Sequence, residues 1–104
     1  MYIFSPGQAK TATFAVTVAP AGLSCEVELF LGLDSTTKAS TSGKVPFTST
    51  GLEQLVTLPL TMPAVNGMYH VYMDVYIGGT PAWAGQATQD VVIPLVSYGG
   101  VVWS

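Results

Sequence analysis

Arginine is absent from this chain, lysine occurs three times, and charged residues make up 9% of its 104 positions, where about 25% is typical of soluble domains. Three lysines against six acidic residues leave a formal net charge of −3, and no basic cluster is available to neutralise phosphates. Nucleic acid and anionic membrane surfaces are therefore not expected as partners. The same shortage leaves the surface poorly protected, because exposed apolar area with little charge beside it marks contact with other proteins. The expected partner is protein, either copies of this chain or neighbouring domains.

Reactive side chains are equally scarce. Cys25 is the one cysteine, which excludes an intrachain disulfide or a thiolate cluster; within an apolar alternating run it reads as a small core residue. One histidine and one buried cysteine fall short of the three or four ligands zinc takes, and Asp34 with its loop carbonyls offers calcium one carboxylate among hydroxyls. Nucleophilic catalysis needs Ser or Cys beside a base, yet His70 stands in mid-strand. Glycoside hydrolysis needs two carboxylates across a cleft, whereas Glu26, Glu28, Asp74 and Asp90 are spread over what reads as an open, solvated sheet face. No phosphate-binding glycine pattern follows a strand. The chain is read as non-enzymatic and without cofactor. No apolar run reaches the roughly 20 residues that span a bilayer, and no leader pattern is read at its start. Membrane insertion is not expected.

Helical periodicity is missing too: no apolar i, i+3, i+4, i+7 pattern runs for ten residues. Period-two alternation takes its place, the mark of half-buried strands. Residues 10–19 set Ala12, Phe14, Val16 and Val18 against Thr11, Thr13, Ala15 and Thr17. Residues 24–33 set Cys25, Val27, Leu29, Leu31 and Leu33 against Glu26, Glu28, Phe30 and Gly32, and a one-residue slip would bury both glutamates. A Ser/Thr-rich connection over 34–43 leads to a short edge strand at 45–49, where Pro46 is tolerated. Residues 54–62 place Val56, Leu58, Leu60 and Met62 inward, with Pro59 and Pro63 arguing for an edge or a bulge. After an Asn66-Gly67 turn, residues 68–77 carry Tyr69, Val71, Met73, Val75 and Ile77 on one face and His70, Tyr72, Asp74 and Tyr76 on the other. Residues 78–81 form a loop, and residues 83–95 return as one strand with Ala87, Val91 and Ile93 inward. With an N-terminal strand at 2–4, about seven strands make an all-β antiparallel sandwich over residues 1–96. Residues 97–104 form an extra strand or a linker.

The stretch Met62-Pro63-Ala64-Val65-Asn66-Gly67-Met68-Tyr69-His70-Val71, followed by Asp74-Val75-Tyr76, resembles the passage from strand E to strand F of bacterial and archaeal immunoglobulin-like domains. It is similar to the cell-adhesion-related domain found in bacteria, in which a proline and a Gly-x-Tyr-x-Val step lead into the central strand. The run from Phe14 to Val18 resembles strand B of that group. The resemblance implies an immunoglobulin-like sandwich in which Tyr69 closes a corner by hydrogen-bonding back to the E-to-F connection. It also implies a spacer, an adhesin or a carbohydrate-proximal module. A Cys pair and a strand-C Trp are absent, which separates the chain from antibody-type domains.

Two places carry candidate function. One is the outer face of the strongest hairpin, His70, Tyr72, Asp74 and Tyr76, with Glu26, Glu28 and Phe30 or Gln86, Thr88 and Asp90 beside them; amphipathic tyrosines among short polar groups stack on sugars or anchor protein interfaces. The other is the tail Val101, Val102 and Trp103, which can add to a neighbour's sheet. Trp83 is expected to cap an open end of the sandwich. The expected function is a non-catalytic structural or interaction module of a surface or extracellular assembly, associating with itself. A virion decoration or tail domain, and a carbohydrate-binding module using the tyrosine face, are the alternatives.

Overall fold

The structure is a computed structural model that describes residues 1–97 and 99–103. Among the described residues there are nine strands and no helix: β1 (Tyr2–Ile3), β2 (Ala9–Thr17), β3 (Ser24–Gly32), β4 (Ser40–Thr41), β5 (Val45–Thr48), β6 (Glu53–Thr61), β7 (Gly67–Ile77), β8 (Thr80–Gln86) and β9 (Val91–Ile93). They form two sheets packed face to face, a β-sandwich. The larger is centred on the antiparallel pair β3 and β7. β5 and then β4 run along the outer edge of β3, while β8 and then β9 run along the outer edge of β7. The smaller sheet is the antiparallel pair β2 and β6.

Two strands come in addition to the seven expected. The run 83–95 is not one strand: the chain bends at Thr88 and Gln89, so β8 pairs with Tyr72–Ile77 while β9 pairs with Gly67–Tyr69. The Ser/Thr-rich connection contributes β4, which pairs with Phe30 and Leu31. The sheets are also not wholly antiparallel, since β1 joins β9 in parallel. Leu33, expected inward, is exposed, because β3 ends at Gly32 where the chain turns so tightly that a Cβ would run into the Thr37 carbonyl. Residues 97 and 99–103 form no strand; Tyr98 and Ser104, part of the expected extra strand or linker, lie outside the described residues.

Gly78 and Gly79 both hold positive φ, 59° and 82°, the backbone a two-residue hairpin turn demands. Thr80 therefore pairs with Ile77 and, with Pro81, belongs to β8 rather than to a loop. The core fills from alternate positions: Val27, Leu29 and Leu31 of β3, Val56, Leu58 and Leu60 of β6, Val75 of β7, with Cys25 among them. Tyr69 is buried, and its hydroxyl donates to the Val65 carbonyl at 2.7 Å.

The two edges of the smaller sheet differ. On the β6 side, Ser40 Oγ donates to the Thr61 carbonyl and Gln54 Nε2 donates to the Thr48 carbonyl at 3.2 Å, tying β6 to the larger sheet. On the β2 side, the Met62 N–H donates to the Gln8 carbonyl, and the register pairs Lys10 with Leu60 and Phe14 with Val56. In an antiparallel ladder alternate residues bond inward, so Lys10, Ala12, Phe14 and Val16 bond to β6. Ala9, Thr11, Thr13, Ala15 and Thr17 turn their N–H and C=O groups away from it, and among the described residues no strand receives them.

Candidate functional site

β7 lies between β3 and β8, so the outer face that carries His70, Tyr72, Asp74 and Tyr76 has neighbours on both sides at once. Across β3 the register sets Tyr76 against Glu26, Asp74 against Glu28 and Tyr72 against Phe30. Across β8, Gln86 stands opposite Tyr72. His70 Nδ1–H donates to Asp90 Oδ1 at 2.9 Å, and its ring meets Tyr72 edge-on at 6.2 Å. Thr88 sits in the bend outside the ladder.

This face is not the open, solvated one the alternation suggests. Phe30 is 2% exposed and Glu28 5% exposed, because the connection that contains β4 folds over them. Lys38 Nζ donates to Glu28 Oε1 at 2.9 Å and also stands 4.9 Å from the centre of the Phe30 ring. Thr41 Oγ1 donates to the other Glu28 oxygen. Burial pushes the Glu28 carboxyl up, but these hydrogen bonds and the charges of Lys38 and Lys44 outweigh it and hold its pKa below the ordinary value. The hydrogen bond to Glu28 correspondingly raises the Lys38 ammonium. Phe30 stacks on Tyr72 at 5.1 Å, so it backs the face instead of presenting a ring to a ligand. Lys44 Nζ covers Tyr76 at 4.1 Å. What remains accessible is a half-buried row of His70, Tyr72, Asp74 and Tyr76.

Lys38, Lys44 and Thr41 were not legible as site residues. The available signal was charge: two of the three lysines fall in the connection directly after the strand that carries Glu26 and Glu28. Asp34 is occupied locally, its Oδ1 accepting from the Thr36 N–H, the Thr36 hydroxyl and the Thr37 N–H, which lowers its pKa and closes the turn. Among the described residues no three of His, Cys, Asp and Glu are grouped as a metal ion needs.

The second candidate region is the C-terminal segment that follows β9, considered with the cleft beside β2. Val101, Val102 and Trp103 stand free of the body, Val102 at 93% and Trp103 at 89% exposure, and Leu95 and Val96 continue the row toward β9. Beside the free edge of β2 runs a cleft in two lobes of about 440 and 490 Å³. The first follows β2 from Lys10 to Phe14 over Leu31, Val71 and Met73. The second follows it from Phe14 to Ala19 over Val75 and Ile77. Trp83 is half exposed and stacks on Phe14 with ring centres 6.2 Å apart. Its indole lies on Gly85, where any Cβ would collide with it, and Trp83 lines the second lobe at the open side of the sandwich.

Comparison with known proteins finds no matching family model, no similar curated protein and no similar solved structure.

Proposed function

We propose that this chain is an immunoglobulin-like, non-catalytic interaction module that associates with copies of itself in a surface or extracellular assembly. The immunoglobulin-like reading is supported by a β2–β6 pair facing a β3–β7–β8 sheet and by the corner bond from Tyr69 to Val65. Self-association is carried by one observation: Leu95, Val96, Val101, Val102 and Trp103 are all exposed on one segment without a charged side chain. Five large apolar side chains left in water favour burial against a partner, at about 25 cal/mol per Å² removed from water. The tyrosine face supports a carbohydrate reading less well, because the faces of its rings are engaged by Phe30 and Lys44. Light scattering on the full chain over a concentration series tests the proposal. A mass that rises above one chain with concentration is the expected result; a strict monomer throughout overturns it.

A further inference from the structure

The smaller sheet stops one strand short. Five residues of β2 aim ten backbone hydrogen-bonding groups at a position that no strand among the described residues occupies, and beneath that position the inward side chains Ala12, Phe14, Val16, Val71, Met73 and Ile77 are only partly buried. Other strands also end in free edges, but β2 is flanked by an open apolar cleft along its whole length. A strand laid there would pair with backbone and cover core together, the two requirements for adding a segment to a sheet edge.

The same chain carries a segment of matching dimensions and pattern. Residues 94–103 span about 33 Å when extended, and the nine residues of β2 about 30 Å, at roughly 3.3 Å per residue. Alternate residues of the segment, which share one face of an extended strand, read apolar, small, apolar: Leu95, then Ser97 and Gly99, then Val101 and Trp103, with Tyr98 in the opposite set. The cleft reads lobe, Phe14, lobe: Phe14 lines both lobes, and Trp83, which lines the second, stacks on it. On that face Ser97 and Gly99 would pass the stack while Leu95 fills one lobe and Val101 and Trp103 the other. In its own chain Leu95, Val96, Val101, Val102 and Trp103 of this segment are exposed and so free to meet a partner.

We propose that the free edge of β2 accepts residues 94–103 of a second copy as the missing third strand, with Val101 and Trp103, which share one face of an extended strand, turned into the cleft. This rests on the self-association proposed above and assigns the two surfaces that carry it. Donor and acceptor are different surfaces of one chain, so the contact is heterologous and repeats head to tail, giving an open filament or a closed ring.

Two full-length variants test it. Thr13→Pro removes an N–H that points away from β6 and leaves the intrasheet ladder whole, disabling the acceptor alone; Ala15→Pro serves where Thr13→Pro lacks the wild-type circular dichroism spectrum. Val101→Asp with Trp103→Asp disables the donor alone. Each variant is expected to lose the concentration-dependent mass increase of the wild type. Mixed in equal amounts they regain one productive contact and give a complex of two chains that grows no further. Association of either variant at wild-type levels overturns the edge assignment while leaving self-association standing. Monomeric wild type overturns both. Monomeric wild type whose Thr13 amide is nevertheless protected from exchange shows the segment folded onto its own chain, which also overturns the proposal.

Discussion

β2 and β6 are the two strands of one sheet, carry the same alternation, and end in opposite conditions. Val56, Leu58 and Leu60 of β6 are buried, Leu58 completely, while Ala12, Phe14 and Val16 of β2 are only partly covered. The difference lies in what stands beyond each strand. β6 faces β3 and is bound through Ser40 and Gln54 to the strands along β3's outer edge, and β5 adds Val45 and Phe47 to the core there. β2 has a cleft in the corresponding place, bridged by the Phe14–Trp83 stack. One half of the sandwich is closed by its own chain and the other is left ajar.

The largest expected contrast comes from truncating one inward side chain in each half. Leu58→Ala should cost about 3 kcal/mol, since a fully buried Leu leaves a cavity as well as losing transfer energy, whereas Val16→Ala on the open side should cost about 1 kcal/mol. Denaturant unfolding measures both, and equal losses would break the comparison. Next, Lys38→Met removes the main partner of a buried carboxylate and should cost about 2 kcal/mol at neutral pH. Because the Glu28 pKa is lowered on folding, its stabilisation is present above the ordinary carboxylate value and is lost as pH falls through the lowered one. The wild type should accordingly lose stability on acidification below about 4.5, and Lys38→Met should lose less over that range, as acid titrations of thermal midpoint would show. Tyr69→Phe deletes the hydrogen bond to the Val65 carbonyl and should cost about 1 kcal/mol by denaturant unfolding. The smallest effect is on the open side. Gly85→Ala should push the Trp83 indole off Phe14, reddening tryptophan emission while leaving stability within about 0.5 kcal/mol.

Much of this was legible in the sequence, and what was not shares a cause. Period-two patterning states which side of a strand faces inward, and it placed Val27, Leu58, Val75 and Ile93 in the core; the Gly-x-Tyr step led to the Tyr69 corner. Patterning does not state what covers a face. Glu28 and Phe30 alternate like solvent-facing residues and are nevertheless buried, because a polar connection with no periodicity of its own folds across them and brings Lys38. The split of residues 83–95 escaped for a related reason: β8 and β9 meet successive stretches of the same edge of β7, a tertiary choice that no local alternation records. Of the candidate site, the row His70, Tyr72, Asp74 and Tyr76 was found as a row, but its roof was not. The uncovered edge of β2 was not signalled, since the proline that marks an edge, Pro59, stands in β6 and β2 carries none.

Amide hydrogen exchange along β2 tests the central claim, that this edge is open in the single chain and closed in the assembly. In dilute protein the amides of Thr11, Thr13 and Ala15 should exchange fast while those of Ala12, Phe14 and Val16 exchange slowly, and the fast set should become protected as concentration rises. Uniform protection of all six at every concentration would contradict the account.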